Sequence, residues 1–303
     1  MMYNEEFKTN YIKETEFRNN SASTNIDLLF RRIAPYEEKI GHDLYDFSIV
    51  EIIDYYKSLC TSSLESLMIM NNQYKLYTAY ALKDGLVKDN QNHYEEIDNS
   101  VLNSCVNLGL LNAKMISREK LLSYLNSSDI ENVSDKFLAL ALFEGICGKG
   151  CCELIDLTLD DFNGNIVTLK TGRQLEVSDK LVELAKESAD TFEYYDVNYA
   201  RSNKKYYEGD DRIIKRMANS TSEDPLRLQR AIGRRLDRLI DRTMCQAFEP
   251  RALLDSGRIE MAGKLVNDKT TWNQALKDPE VVKKYGAISS VPRFILKYGL
   301  TED

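Results

Sequence analysis

The chain has 303 residues, of which 43% are hydrophobic and 10% aromatic, and this composition excludes a wholly disordered protein. Its longest purely apolar run, residues 137–143, is far shorter than the roughly 20 residues that span a bilayer, and the first ten residues lack the apolar segment of a signal peptide. We therefore expect a soluble cytoplasmic protein with no membrane partner.

The net charge of −8 is unevenly distributed along the chain. Residues 1–100 and 101–200 each carry a net charge of −7, whereas residues 201–303 have 21 basic and 15 acidic side chains and a net charge of +6. A basic segment on an acidic chain is able to bind phosphate, but it is more often simply a solvated surface. Charge alone therefore leaves nucleic-acid binding open.

The six cysteines do not indicate a disulfide framework, because the chain is large and has no secretory signal. Cys147, Cys151 and Cys152 lie close together in sequence, but no second Cys or His cluster completes the four ligands of a zinc site. We expect buried free thiols, no metal and no cofactor.

Helical spacing and cap signals predict a small helical domain over residues 1–92. Apolar residues recur with a helical period over residues 24–40, and Ser48 and Ser62 each precede a glutamate three positions on, which is a capping-box pattern. A long helix follows Ser62, and the polar stretch 88–93 is the best linker candidate.

Further helices are predicted at the start of residues 93–303, after which the period changes. Residues 165–169 and 174–177 are short strand-like runs on either side of a turn, the signal of a hairpin. Residues 190–224 are polar and weakly patterned, so we expect a long loop with a strand at residues 212–214. The fold class is therefore mainly α with a small β-hairpin or sheet.

The helix predicted over residues 225–242 has two different faces. At about 100° per residue, one third of its circumference is apolar: Leu228, Ile232, Leu236, Leu239 and Ile240. Another side carries a row of arginines: Arg227, Arg230, Arg234 and Arg238. Such a row either binds phosphates or is a solvated face partly neutralised by Asp237 and Asp241, and spacing alone favours the solvated face.

Several segments occur in an order typical of one enzyme family. They are EGICGKGCCELIDLTLDDF (144–162), a two-stranded turn with basic residues, VSDKLVELAKE (177–187), the basic helix followed by FEPRALLDSGRIEMAG (248–263), and YGAISSVPRFILKYG (285–299). Over nearly its whole length the chain resembles the tyrosine recombinase (phage integrase) family. The resemblance implies two domains, a SAM-like helical core-binding domain over residues 1–92 and an integrase catalytic-like domain over residues 93–303.

In that family a tyrosine attacks a DNA phosphodiester, and two arginines, a lysine and His or Trp residues stabilise charge and supply protons. The position of the first arginine holds Gly150 here, or Cys147 if a local insertion is allowed. The second box, His-x-x-Arg-His in the family, holds Arg251, Leu254 and Asp255, in that order, at its His, Arg and His positions.

The remaining catalytic positions are also altered. The third box has Ala287 or Ile288 in place of His or Trp, and Tyr298 lies about one residue from the position of the nucleophile. Losing one preorganised donor commonly lowers the rate by about 10²–10³, so the resemblance predicts that the fold is kept and strand cleavage is lost. We expect no catalytic residue and no enzyme activity.

The resemblance also implies a clamp on double-stranded DNA, because both family domains wrap the duplex and the helix before the second box contacts it. The DNA-binding residues that we predict are Lys75, Lys149, Lys170, Arg173, Arg227, Arg230, Arg234, Arg238, Arg251 and Arg258. The helix after Ser62 also carries Asn71, Asn72 and Gln73 beside Lys75, side chains that are able to read base edges.

The expected function is a sequence-specific repressor that occupies operator DNA, as in the control of prophage lysogeny in a bacterial host. Self-association through residues 289–299 and a protein or peptide antirepressor are possible further partners. Two alternatives stay open: an active or partly active recombinase, and an accessory protein that binds a recombinase and not DNA. Salt separates the accessory protein from the two DNA binders, whose affinity falls steeply as salt rises.

Overall fold

The computed structural model describes residues 3–16, 20–198, 201–207, 209–216 and 225–300. The chain divides into two compact units, Met1–Leu111 and Asn112–Asp303. It is mainly helical and carries two small antiparallel sheets, so the predicted fold class is confirmed. None of the helices in the described part of the chain has the length and apolarity needed to cross a bilayer.

The first unit consists of helices joined by short turns. In chain order its helices are α1 (Glu5–Glu16), α2 (Asn20–Ile40), α3 (Ile49–Ser58), α4 (Leu64–Lys83), α5 (Asn99–Ser104) and α6 (Leu108–Ala113), the last of which crosses into the second unit. The expected capping box at Ser48 is present, since Ser48 N donates to Glu51 Oε2 over 2.8 Å.

The N-terminal cap of α4 lies one residue later than the predicted cap. Ser62 does not cap the helix; the cap is Ser63, whose Oγ accepts a 3.1 Å hydrogen bond from Ser66 N. The reason is local, because Thr61 Oγ1 accepts a 3.1 Å bond from Ser63 N and closes a turn before the helix begins.

Tyrosines fill the core of the first unit, and their hydroxyls are bonded there. Tyr77 donates to Asp43, and Tyr94 donates to the carbonyl of Leu44 over 3.1 Å. Tyr94 follows the stretch 88–93 that the sequence analysis took as a linker, and its burial holds the following residues on this unit. The compact units therefore divide after Leu111, whereas the sequence pattern places the boundary after residue 92.

A buried ion cluster fastens α1 to the rest of the unit. The Lys8 ammonium lies 2.5 Å from Glu37 and 3.7 Å from Asp43, and all three side chains are almost completely buried. Burial raises the pKa of Glu37 to about 7; Lys8 opposes this shift and the nearby Asp43 adds to it. Two carboxylates thus share one ammonium in a water-poor site, a situation that favours a shared proton.

The second unit packs its helices around α8, which is buried along almost its whole length. Its helices are α7 (Arg118–Asn126), α8 (Val133–Phe143), α9 (Cys152–Ile155), α10 (Asp179–Asp190), α11 (Pro225–Thr243), α12 (Pro250–Gly263), α13 (Trp272–Ala275), α14 (Pro279–Tyr285) and α15 (Val291–Tyr298). Its strands are β1 (Phe162–Asn163), β2 (Ile166–Thr168), β3 (Gln174–Glu176), β4 (Glu193–Asn198) and β5 (Arg201–Tyr206).

The expected hairpin around residues 170–173 is present as strands β2 and β3, with Val167 opposite Leu175, and β1 extends it to three strands. The expectation of a long loop over residues 190–224 was wrong in its first part. There β4 and β5 form an antiparallel hairpin in which Tyr195 pairs with Lys204. Tyr194 and Tyr207 anchor this hairpin, since their rings are buried in an otherwise polar sequence.

The strand expected at residues 212–214 is reduced to one isolated bridge between Thr158 and Arg212. The bond from Ile213 N to Leu157 O, 2.9 Å long, holds this segment against the residues before β1. Residues 217–224 of the same expected loop lie outside the described residues.

Candidate nucleic-acid interface

An open groove of about 550 Å³ lies on the second unit where three segments of the family-like pattern meet. These segments are the turn before α9, the middle of α11 and the start of α12. The residues that line the groove are Cys147, Gly148, Lys149, Gly150, Cys151, Gln229, Arg230, Gly233, Pro250, Arg251 and Leu254.

The turn over residues 145–151 depends on backbone conformations that favour glycine. Gly145 and Gly148 have φ of 96° and 65°. A Cβ on Gly148 would lie 2.6 Å from Cys152 Sγ, so the space is also closed to a side chain. Buried Glu153 holds the turn, because its carboxylate accepts bonds from Cys147 N and from the Thr171 hydroxyl.

The positions that hold catalytic arginines in recombinases line this groove without supplying a cation. Gly150 and Cys147, the two candidates for the first position, both lie on its wall. Leu254, at the second position, lines it with an aliphatic side chain. By the resemblance these are the positions of the two catalytic arginines, and none of the side chains at them is a cation.

Three predicted DNA-binding residues do meet in the groove. Lys149 and Arg230 are exposed, and Arg251 is 62% exposed while its Nε donates to Asp255 over 2.9 Å. Arg251 is thus held by a carboxylate through Nε while most of its side chain is exposed. The groove therefore carries three cationic side chains.

The two-faced character of α11 is confirmed. Ile232, Leu236 and Leu239 are buried, whereas Arg227, Arg230 and Arg234 are exposed. The fourth arginine of the row, Arg238, is half-buried; its guanidinium lies 5.5 Å from the Tyr194 ring centroid, and its Nε donates to Arg234 O.

Sequence reasoning missed Arg235, which lies in the same helix but on its buried side. Its Nε donates to Asp135 at 2.6 Å, and its Nη2 donates to the hydroxyls of Ser134 and Tyr207. This cluster joins α11 to α8 and to the β4–β5 hairpin, and so it orients the arginine row. Its position next to Leu236, at the edge of the apolar face, was the sequence signal that could have predicted its burial.

Two residues predicted to bind DNA have structural roles. Arg258 is 2% exposed and donates to Asp255 and to the carbonyls of Tyr285 and Gly286, so no edge of it reaches solvent. Arg173 donates to the carbonyls of Gly145 and Lys284, both over 2.9 Å, and ties the β-turn to α14. We therefore remove Arg258 from the predicted DNA-binding set, whereas Arg173, which is 29% exposed, stays a prediction.

Lys170 and Lys75 are on the surface but paired. Lys170, on the hairpin turn where the family has its lysine, lies 3.1 Å from Asp156 and is 67% exposed. Lys75 lies on the first unit, 3.3 Å from Glu95. Its neighbour Asn71 is not available to read bases, because it is buried and bonded to Tyr56 and to the Tyr94 carbonyl.

The tyrosine near the nucleophile position is held by a carboxylate. Tyr298 donates its hydroxyl to Asp255 Oδ2 over 2.7 Å. Burial and the negative charge of Asp255 both raise the pKa of Tyr298 above its usual value. The arrangement favours a neutral phenol, the opposite of what a nucleophile needs.

Comparisons with known proteins agree with this geometry. The family model "MrpR, C-terminal catalytic domain" matches residues 115–303, and "MrpR, N-terminal core-binding domain" matches residues 2–83. The SPbeta prophage-derived protein YopR of Bacillus subtilis (strain 168) is 22% identical over 313 residues, which cover 97% of this chain and 94% of YopR.

One solved recombinase structure shares the fold. The Tn1549 transposon integrase, determined in complex with a circular intermediate DNA, superposes with a TM-score of 0.50 at 11% identity and covers 98% of this chain and 95% of its own. XerA recombinase is also similar, with a TM-score of 0.39 and 11% identity over 99% of this chain and 95% of its own. With both of its domains matched in order, the chain belongs to the MrpR family and has a tyrosine recombinase fold.

Proposed function

We propose that this protein is a sequence-specific repressor of a prophage, which binds double-stranded operator DNA on an inactive tyrosine recombinase fold. One observation carries the proposal. The groove at the place of the recombinase active site keeps Lys149, Arg230 and Arg251, but has Gly150 and Leu254 where catalysis requires arginines. Such a groove is suited to hold a backbone phosphate and unsuited to cut beside it.

The loss of cleavage follows from the charge that the reaction develops. Phosphoryl transfer to a tyrosine builds negative charge on the phosphorane oxygens, and preorganised donors lower that barrier. Leu254 offers an apolar surface at one donor position, and Gly150 offers no side chain at the other. Tyr298 is meanwhile engaged with Asp255. On this proposal the groove lacks both the donors that would stabilise the phosphorane and a tyrosine activated for attack.

DNA binding is supported by the exposed arginines of α11 next to the groove. Arg230 and Arg234 lie four residues apart, about 6 Å along the helix axis. Because both side chains project from the same exposed side of the helix, one DNA strand is able to run past both with a phosphate at each. The fold neighbour from Tn1549 was itself determined with DNA. Guanidinium forks also suit guanine edges, which gives a route to specificity.

A repressor is the function that such a molecule suits best. A protein that binds one site tightly and leaves it uncut blocks access to that site, and the relative YopR is prophage-derived. We place its action in the bacterial cytoplasm, where the operator is. Release would then need an inducing signal, such as a protein or peptide antirepressor, and residues 289–299 are the proposed self-association segment.

Equilibrium binding to genomic DNA fragments over a range of salt concentrations tests the proposal. A protein that neutralises several phosphates loses affinity with a slope of about −0.9 per phosphate in a plot of log K against log salt. We expect a steep slope together with protection of one recurring sequence. Absence of binding at low salt would refute DNA binding and favour an accessory protein, and covalent adducts would favour a recombinase.

A further inference from the structure

Two thiols lie side by side on the wall of the groove. The sulfurs of Cys147 and Cys151 are 4.0 Å apart, and both cysteines are free. Both cysteines line the groove; Cys147 is half-buried and Cys151 is buried. They are the two ends of the five-residue segment that carries Lys149 at its centre, so any change in their separation acts on a proposed phosphate contact.

The two sulfurs have different chemical characters. The Cys151 thiol bonds to Cys147 and lowers its pKa, an effect that burial opposes and the positive charge of Arg251 supports. The same contact, together with burial, raises the pKa of Cys151. Cys147 is also the more exposed of the two, so it is the sulfur that a peroxide in the groove meets first, with Cys151 as its buried partner.

The backbone between the two cysteines is able to rearrange so that the two sulfurs come closer together. A disulfide requires the sulfurs to approach to about 2.05 Å, and both intervening glycines, Gly148 and Gly150, have positive φ and no side chain to obstruct a new path. Cys151 itself has a φ of 63°, a left-handed conformation that costs a non-glycine residue about 1–3 kcal/mol. The segment therefore combines two conformationally permissive glycines with one strained residue.

We propose that Cys147 and Cys151 form a dithiol site for hydroperoxides, and that their oxidation to a disulfide releases DNA from the groove. The Cys147 thiolate attacks one peroxide oxygen, the O–O bond breaks, and the other oxygen leaves as water after taking a proton. Cys151 then attacks the resulting sulfenic sulfur, the S–O bond breaks and a second water leaves. Two thiols and one hydrogen peroxide thus give one disulfide and two waters.

The effect on DNA rests on the proposed function and follows from what the turn touches. A Cβ at Gly150 would lie 2.5 Å from Gln229 Oε1, which shows how closely the turn packs against α11. Drawing the two sulfurs together shifts Lys149 and this contact at the same time. We expect the disulfide to weaken DNA binding about tenfold or more, the loss of one or two charge-assisted phosphate contacts.

The first arm of the test needs no DNA. The purified full-length protein is treated with hydrogen peroxide, its remaining thiols are alkylated, and its peptides are mapped by mass spectrometry with and without reductant. We expect a reducible Cys147–Cys151 link that Cys147→Ser and Cys151→Ser both abolish. Cys152→Ser, at the exposed neighbouring thiol, and Cys60→Ser, on the first unit, are controls that leave the link intact. A link through Cys152, or none, would overturn the inference.

The second arm measures DNA affinity of the reduced, oxidised and re-reduced protein. We expect oxidation to lower the affinity, re-reduction to restore it, and Cys151→Ser to remove the effect. Formation of the link with unchanged affinity would overturn the inference while leaving DNA binding established. Failure of the reduced protein to bind any DNA would instead refute the proposed function, and the proposed switch with it, even where the link forms.

Discussion

Tyr298 donates its hydroxyl to Asp255 over 2.7 Å, and Asp255 stands at the last position of the box that reads His-x-x-Arg-His in recombinases. The same carboxylate accepts from Arg251 at 2.9 Å and from Arg258 at 3.3 Å. Asp255 thus joins α15 to α12 and holds Arg251 and Arg258 beside the tyrosine. This hydrogen bond supports the proposal that Tyr298 has a structural role and is not a nucleophile.

Removing the Tyr298 hydroxyl should affect stability and leave DNA binding unchanged. For Tyr298→Phe we expect a loss of about 1 kcal/mol in the free energy of unfolding, the usual contribution of one hydrogen bond. Urea unfolding followed by circular dichroism measures this change. With nicked DNA, neither the wild type nor the variant should give a covalent band on a denaturing gel. A band that only the variant loses would identify Tyr298 as a nucleophile.

The arginine row of α11 should contribute to affinity and not to folding. Arg230→Ala and Arg234→Ala should each weaken DNA binding severalfold and lower the salt slope by about 1. Both side chains are exposed, so unfolding should change by less than about 0.5 kcal/mol. Lys283→Ala, at an exposed cation of α14, is the matched control. Equal affinity for all four proteins would exclude this helix from the interface.

The glycine turn should be intolerant of a side chain. Gly148→Ala combines a positive φ with a contact of 2.6 Å to Cys152 Sγ, so we expect destabilisation well above the 1–3 kcal/mol or so that backbone strain alone causes. Gly172→Ala is the matched control, because that glycine also has a positive φ (80°) but open space around it. In thermal unfolding, Gly148→Ala should have a lower melting temperature than Gly172→Ala. The same melting temperature for both would contradict the steric argument.

The buried cluster around Glu37 should make the first unit more stable at mildly acidic pH. The pKa of Glu37 is about 7 in the folded protein and is raised from the ordinary value of 4.5. Between these values the folded state binds more protons than the unfolded state, so stability falls as pH rises to about 7 and is level above it. His93, whose pKa is raised by Glu96 and Asp89 against burial, adds a slope of the same sign.

Hydrogen exchange of first-unit amides from pH 5 to pH 8, corrected for intrinsic exchange, measures this dependence. Glu37→Gln should reduce the slope of the opening free energy, whereas Glu38→Gln, at the exposed neighbouring position, should keep it. If the wild type is equally stable across this range, Glu37 is ionised throughout and the shared-proton interpretation is wrong.

The sequence allowed prediction of the elements that local signals define. Periodicity located α2 and α11, the Ser48 capping box located α3, and the short runs around residues 170–173 located the β2–β3 hairpin. The β4–β5 hairpin was not predicted, because its polar strands are anchored by buried tyrosines and show no alternation of apolar residues. Local pattern does not show which partner a tyrosine will find in the folded chain.

Prediction of the site succeeded for the groove and failed for individual cations. The family-like segments do meet at one groove, where Lys149 and Arg251 of the predicted set lie together with Arg230 of the arginine row. Spacing gave no means of seeing that Arg258 and Arg235 point into the protein, since a buried guanidinium and an exposed one look alike in sequence. Their burial depends on the carboxylates Asp255 and Asp135, which tertiary packing supplies.

The most direct test of the central claim, sequence-specific binding without cleavage, is one selection experiment. Genomic fragments bound by the purified protein at about 150 mM salt, where non-specific attraction to phosphate is already weakened, are sequenced before and after a denaturing wash. We predict enrichment of one recurring motif upstream of genes before the wash and loss of all bound DNA after it. Fragments that survive the wash, attached to the protein, or a complete absence of enrichment would contradict the account.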